Sequence, residues 1–364
     1  MTQSDISHLS SRTISSLRVV CILMVVFIHT FDLVADSDPC ATHSPFQFVR
    51  IAVSRAICLP AVPVFFVISA YLLCGGLSDS WSWALWRRKM VSRLHSMLIP
   101  FLLWNAIALL AKVVVAWAQA DISSSADLLA WFQAHGWLRI WWDCANPNGG
   151  MPIDYPLWFL RDLVILSLLL PLVYFLVRKL GLFWIVFVAV IGLADLWPHS
   201  LKPQALPVIF FSAGVFLRLR RLDIARVAQL HLPWAIPATL VLLVACTLSY
   251  NVNQPLYAVV SAVVTVPAAF ALVGLVARLL SRSSCSFPDV LSQASFFIYA
   301  LHAVFVISAV RRLLFALWPS ESQCALIAKF FLIPVIATTV CIAVFLLLRR
   351  SCPALLNLLT GGRG

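Results

Sequence analysis

Long apolar runs, scarcely interrupted by charge, constrain this chain more than any other feature. A bilayer core takes roughly 20 apolar residues per helix, with a range of about 17–25. On that ruler the sequence predicts ten spans, at residues 17–35, 51–74, 98–118, 157–177, 182–197, 205–217, 234–250, 256–280, 294–318 and 325–348. Lipid offers no partner for a backbone N–H or C=O, so runs of this kind can satisfy their own backbone only as helices. The fifth and sixth runs are the shortest and flank a proline-bearing link (Pro198, Pro203, Pro207). Of 364 residues, 62% are hydrophobic and 11% charged, and mean hydropathy is +0.97. An ordinary soluble domain carries about 25% charge. Soluble, fibrous and disordered classes are therefore excluded. The expected fold is an all-α, polytopic membrane bundle of about ten helices, one domain over residues 1–364.

The net charge of +12 does not point to nucleic acid, because the basic residues are not gathered into one patch. They punctuate the spans. Arg12 and Arg18; Arg87, Arg88, Lys89 and Arg93; Arg178 and Lys179; Arg218, Arg220, Arg221 and Arg226; Arg278 and Arg282; and Arg349, Arg350 and Arg363 fall on one side, in alternate loops. The positive-inside rule makes that side cytoplasmic. Both termini are then expected in the cytoplasm, as a short segment at about 1–16 and a tail at about 349–364. Arg311 and Arg312 are the exceptions, near the outer end of the ninth span. The first span is interrupted by His29 and Asp32 and followed by nine more, which reads as a retained helix and not as a cleaved signal peptide.

The outward loop at 119–156 carries Trp131, Trp137, Trp141 and Trp142 and the turn Asn146-Pro147-Asn148-Gly149-Gly150. Two readings stand: an interfacial aromatic belt, or a sugar-stacking lid over a site. Gly-x-Ser-x-Gly, Walker-type and His-Glu-x-x-His motifs are missing, so ATP-driven transport is excluded. The ten cysteines include no Cys-x-x-Cys pair, and no metal is expected. Cys40, Cys144 and Cys324 fall in expected outward loops, with no disulfide favoured among them.

An ionisable residue inside a span is costly and marks a candidate site. His29 and Asp32 in the first run, Arg161 and Asp162 in the fourth and His302 in the ninth meet that test. Arg18 and His29 are eleven residues apart, roughly 16 Å along a helix and within about 20° of three full turns, so both share one face. Asp32 lies about one turn further along nearly the same stripe. A guanidinium at the surface can grip phosphate while an imidazole waits deeper at a reactive end. The alternative is a plain anchor and a helix–helix hydrogen bonder. Tyr299 and His302, at i and i+3, share a helix face and form either a packing pair or a second polar wall of one site. Arg161 and Asp162 either neutralise each other at the interface or belong to that site.

At these residues the sequence resembles acyltransferase family 3, integral-membrane enzymes whose bacterial members O-acylate cell-surface glycans. Arg18-Val-Val-Cys-Ile-Leu-Met-Val-Val-Phe-Ile-His29 matches the family's Arg, ten residues, His signature. Val62-Pro-Val-Phe-Phe-Val-Ile-Ser-Ala70-Tyr-Leu-Leu73 resembles its second helix, with Ala70 where the family usually has Gly. Arg87-Arg88-Lys89…Arg93 before Pro100 resembles its basic cytoplasmic segment, more loosely spaced than is common. Tyr155-Pro-Leu-Trp158-Phe-Leu-Arg161 and Ser295…Ile298-Tyr299…His302 resemble its later Trp-Phe-Leu and Ile-Tyr-Leu-x-His segments.

The resemblance implies transfer of an acyl group, usually acetyl, from cytosolic acyl-CoA to a sugar hydroxyl, with His29 essential. The expected donor is acetyl-CoA, held by Arg18, Arg87, Arg88 and Arg93. His29 would act as general base or acyl carrier, oriented by Asp32, with Tyr299 or His302 near the acyl oxygen or the sugar. Trp158 and Arg161 are expected on the acceptor side. The acceptor would be an exopolysaccharide, another envelope glycan or a lipid-linked oligosaccharide, and the location a bacterial inner membrane. A glycolipid transporter, or the same enzyme with a succinyl or longer acyl donor, are the alternative readings.

Overall fold

The apolar runs become helices in the computed structural model. It describes residues 3–31, 44–77, 80–118, 124, 127, 129–130, 151–198, 202–250, 252–282, 287 and 289–362, and every regular element among them is helical. In chain order these are α1 (Gln3–His29), α2 (Pro45–Ala52), α3 (Ala61–Leu73), α4 (Trp83–Arg93), α5 (Ile99–Ala118), α6 (Trp158–Leu168), α7 (Leu170–Leu180) and α8 (Leu182–Leu193). There follow α9 (Ala205–Leu219), α10 (Ile224–Tyr250), α11 (Gln254–Arg282), α12 (Asp289–Leu301), α13 (Ser308–Leu317), α14 (Gln323–Ser351) and α15 (Pro353–Thr360). Three π-turns, Val53–Ile57, Leu94–Leu98 and His302–Ile307, follow α2, α4 and α12.

Each of the ten expected runs overlaps helix among the described residues, but not all of them are long enough to cross a membrane. Seven continuous stretches of the described residues are, including Leu9–His29, Pro45–Leu73 and Trp83–Ala118. The fourth run is broken after Leu168, where α6 and α7 meet at 67°. The fifth and sixth are α8 and α9, of 12 and 15 residues. At about 1.5 Å per residue α8 reaches about 18 Å, short of a hydrocarbon core of about 30 Å. The first span also shifts, running from Leu9 to His29 and not from 17 to 35. Its polar start is held by partners: Ser10 Oγ donates to Asp223 Oδ2 at 2.6 Å, and Arg12 to the Leu280 carbonyl at 3.5 Å. Asp32, Cys40, Cys144 and the four loop tryptophans lie outside the described residues.

α1 sits against α3, α11, α12 and α14, which makes it the axis of the bundle. Small residues allow the closest approaches, as lipid-embedded helices require. A Cβ added at Gly214 of α9 would overlap the Val67 carbonyl of α3 and stand 2.8 Å from the Ala70 Cβ. At Gly274 of α11 it would meet the Ala228 carbonyl of α10 at 2.7 Å. The expected cytoplasmic tail is also docked. Trp104 Nε1 donates to the Leu359 carbonyl at 3.0 Å, so α15 is pinned to α5. The outward faces are apolar: Phe183 is 83% exposed and Val241 70%. Such a surface belongs in lipid.

Candidate active site

The first helix carries both ends of the site. A cavity of about 470 Å³ runs along α1 from Arg18 past Ile22 and Val25 to His29. Ser69 of α3, Ser96 and Met97 of the second π-turn, Trp158 and Phe159 of α6, and Tyr299 of α12 close it. Leu17, Cys21 and Val26 flank that stripe on α1 and are buried in the bundle core, so turning the helix to move the stripe would disturb them.

Arg18 and Arg93 share this cavity, as the sequence expects. Arg93 is held rigidly. Its Nη1 donates to Ser69 Oγ at 3.0 Å and Ser167 Oγ at 3.2 Å, and its Nη2 to the Ser69 carbonyl at 3.0 Å. A guanidinium oriented this way presents its charge to the cavity without further loss of side-chain freedom. Arg87 and Arg88 are exposed on α4 and line neither cavity described here. Between them and Arg93, Lys89 donates to the Leu73 and Gly75 carbonyls, closing the C-terminal end of α3.

His29 is the last residue of α1 and not a mid-span residue. Thr30 Oγ1, immediately after it, donates to the Val26 carbonyl at 2.9 Å and helps end the helix there. Its ring meets Tyr155 edge-on at a centroid distance of 5.1 Å and His302 at 5.4 Å. His302 is fully buried. Its Nδ1 donates to the Tyr299 carbonyl at 2.7 Å, since a carbonyl oxygen can only accept. The Tyr299 hydroxyl donates to the Pro156 carbonyl, tying α12 to the entrance of α6.

A second cavity, of about 340 Å³, begins at the same histidine. His29, Val25, Val62 and Trp158 are common to both walls. Beyond them the second cavity is lined by Arg55, Tyr155 and Tyr257 among others. His29 thus lies between two chambers, with Trp158 beside it in both. Arg161 lies on neither wall. It forms a buried pair with Asp162, Nη2 to Oδ1 at 2.9 Å, each side chain 2% exposed. Of the two readings open for this pair, the structure has the charges neutralising each other, but buried inside the bundle.

Three charged groups escaped the sequence reading. Arg55 and Lys329 stand inside expected spans, and the test that singled out His29 applies equally to them. Lys329 is fully buried; Nζ donates to the Ser320 carbonyl at 2.8 Å and lies 3.8 Å from the Phe315 ring centroid. Asp154 precedes the fourth run, where a loop carboxylate carries no sequence signal. It is 1% exposed, and its Oδ2 has no hydrogen-bond partner among the described residues. Burial pushes its carboxyl well above the ordinary 3.8.

The sequence profile of a family described as an acyltransferase domain matches residues 12–350. The chain belongs to acyltransferase family 3. The matched stretch includes Arg18, Arg93, His29, Trp158, Tyr299 and His302, so both chambers belong to the acyltransferase domain. The chain is also similar to the succinoglycan biosynthesis protein ExoH of Rhizobium meliloti. The two are 24% identical over 359 residues, covering 97% of this chain and 92% of that protein. No solved structure matches. With seven helices among the described residues long and apolar enough to cross a bilayer, this family-3 acyltransferase is a multi-pass membrane protein.

Proposed function

We propose that this acyltransferase moves an acetyl group from cytosolic acetyl-CoA to a sugar hydroxyl of an exopolysaccharide, another envelope glycan or a lipid-linked precursor, in a bacterial inner membrane. One observation carries the reading: His29 forms a wall common to two cavities, and the first of them has guanidinium groups at Arg18 and Arg93. The loop charges put the Arg18 end at the cytosol. An acyl-CoA gripped there by its phosphates directs its thioester toward His29, and the acceptor enters by the second cavity. Similarity to a succinoglycan biosynthesis protein supports a polysaccharide acceptor.

In direct transfer, neutral His29 takes the proton of the sugar hydroxyl as its oxygen attacks the thioester carbonyl. The C–S bond breaks, the thiolate leaves, and the proton passes from His29 to the thiolate, giving ester and free CoA. In the relay form a His29 nitrogen attacks the thioester carbonyl, the C–S bond breaks and the thiolate leaves. The sugar oxygen then attacks the acyl-histidine, the N–acyl bond breaks to restore the ring, and the hydroxyl proton passes to the thiolate. The Tyr155 and His302 rings fix the imidazole in either case. The deciding experiment measures acetyl per sugar in surface and secreted glycans of a deletion strain. Wild type is expected to restore it, and His29→Ala, present in the membrane at normal level, to fail. Full restoration by His29→Ala would remove the histidine from the chemistry. Altered export at constant acetyl per sugar would instead favour a transporter.

A further inference from the structure

The rim of the first cavity that the loop charges assign to the cytosol is backed by the C-terminal helix. Ser96 and Met97 line that cavity and belong to the π-turn Leu94–Leu98, which begins directly after Arg93. A π-turn departs from the ordinary helical ladder and often marks a functional site, so its shape depends on what packs against it. Ser96 Oγ donates to the Arg93 carbonyl at 3.4 Å, which ties the turn to the backbone that carries the guanidinium.

α15 lies against α5, α12 and α14. It ends at Gly361, whose φ of +63° is left-handed, and the N–H groups of Gly361 and Gly362 donate to the Leu358 and Asn357 carbonyls at 3.4 and 2.9 Å. This is a Schellman cap, and its left-handed residue favours glycine. The position has a second demand. A Cβ at Gly361 would overlap the Ser96 carbonyl and lie 2.7 Å from the Ser96 Cα, so backbone meets backbone with no side chain between them. The Trp104 bond to the Leu359 carbonyl fixes the same last turn of α15 to the helix that follows the π-turn. On the α12 side of the rim, Arg349 near the end of α14 donates to Gln293 Oε1 at 3.0 Å, and Gln293 lines the cavity too.

We infer that α15, through Gly361, is a positioning element of the donor site: it seats the π-turn and so holds Ser96 and Arg93 in register for the phosphates of acyl-CoA. This deepens the acyltransferase reading and rests on it. Gly361 touches no substrate in this scheme and acts only through Ser96 and the turn.

The test uses inside-out membrane vesicles of the deletion strain, which hold the strain's own acceptor, carrying the full chain as wild type, Gly361→Ala or Gly362→Ala. Thiol release is followed against acetyl-CoA and, in parallel, succinyl-CoA. Gly362→Ala is the matched control. Its φ of +80° imposes comparable backbone strain, but a Cβ there meets Asn357 Oδ1 at 3.8 Å, an ordinary contact. In Gly361→Ala the KM for the donor is expected to rise about tenfold while kcat at saturating donor stays within about twofold of wild type. Gly362→Ala should leave KM near wild type. A merely structural defect lowers the active fraction, and with it kcat, at constant KM. An unchanged KM in Gly361→Ala, or an equal rise in Gly362→Ala, overturns the inference. Should Gly361→Ala fail to reach the membrane, Trp104→Phe keeps an aromatic ring in the core and removes the bond to Leu359; an unchanged KM there overturns the inference as well. Wild type that releases thiol from neither donor overturns the acyl-CoA reading itself, and the inference with it.

Discussion

At the residue scale, placement of a charge and not its presence separates the working groups from the supporting ones. Arg93 is fixed by Ser69 and Ser167 on the cavity wall, whereas Arg87 and Arg88 one to two turns earlier face outward. Arg93→Lys keeps the charge and loses the fork. It is expected to raise the KM for acyl-CoA about tenfold, with Arg88→Lys much nearer wild type, in a thiol-release assay. Asp154 offers a pH test. Its folded carboxyl titrates well above the ordinary 3.8, so the neutral form is the one the fold accepts. Its contribution is complete below the ordinary value and is lost as pH rises through the elevated one. Asp154→Asn stays neutral throughout. Its thermal midpoint in detergent is expected to equal or exceed that of wild type at pH 8 and to lack the wild type's alkaline decline; a parallel decline would contradict this. Asp162 differs in having a counter-ion beside it, the Arg161 guanidinium at 2.9 Å. Asp162→Ala leaves a buried guanidinium behind and is expected to destabilise by about 3–5 kcal/mol, read as a lowered midpoint.

At the scale of elements, two of the three π-turns described supply cavity walls, and the third begins at the histidine packed against His29. One contains Arg55, one contributes Ser96 and Met97, and one begins at His302. An extra residue in a helical turn re-aims the side chains beyond it, and nothing in hydropathy distinguishes it from ordinary helix. Sequence periodicity therefore places Tyr299 and His302 on one face but does not show that His302 turns toward His29. The contact between α3 and α9 is a second case. Ala70, where the family usually has Gly, faces Gly214, so the small residue needed at this crossing stands on the partner helix. Gly214→Ala is expected to cost about 1–3 kcal/mol of stability. Adding Ala70→Gly removes only the side-chain clash, because the Val67 carbonyl remains, so the pair should recover part of the loss. Full recovery would mean that the Val67 contact relaxes freely.

At the scale of the molecule, the short helices α8 and α9 test the predicted topology. Loop charges predict a cytoplasmic Arg221 and an outward Asp195, yet α8 between them is only 12 residues long. In a background with the native cysteines replaced, Asp195→Cys is expected to react with an impermeant maleimide from outside and Arg221→Cys only after permeabilisation. Labelling of both from one side would make α8 and α9 a re-entrant pair. Legibility follows from the same physics. The motif from Arg18 to His29 could be read because both residues lie on one helix, whose geometry is local. The acceptor-side expectation for Arg161 could not be checked by spacing, because the residue's partner, Asp162, is adjacent and only packing shows the pair turned inward.

What the amino-acid order determined by itself is whatever depends on local free energy: apolar runs with no water to satisfy their backbone became helices, and the i to i+11 stripe put Arg18 and His29 on one wall. Tertiary structure alone decided the rest. Packing of α3, α6 and α12 around α1 selected Arg93 over Arg87 and Arg88, set His302 and Tyr155 against His29, and opened a second chamber lined by Arg55. Those relations join residues of different helices, many of them far apart in the chain. Chain geometry constrains neighbours within a few turns, while distant pairs meet only through the packing of whole helices.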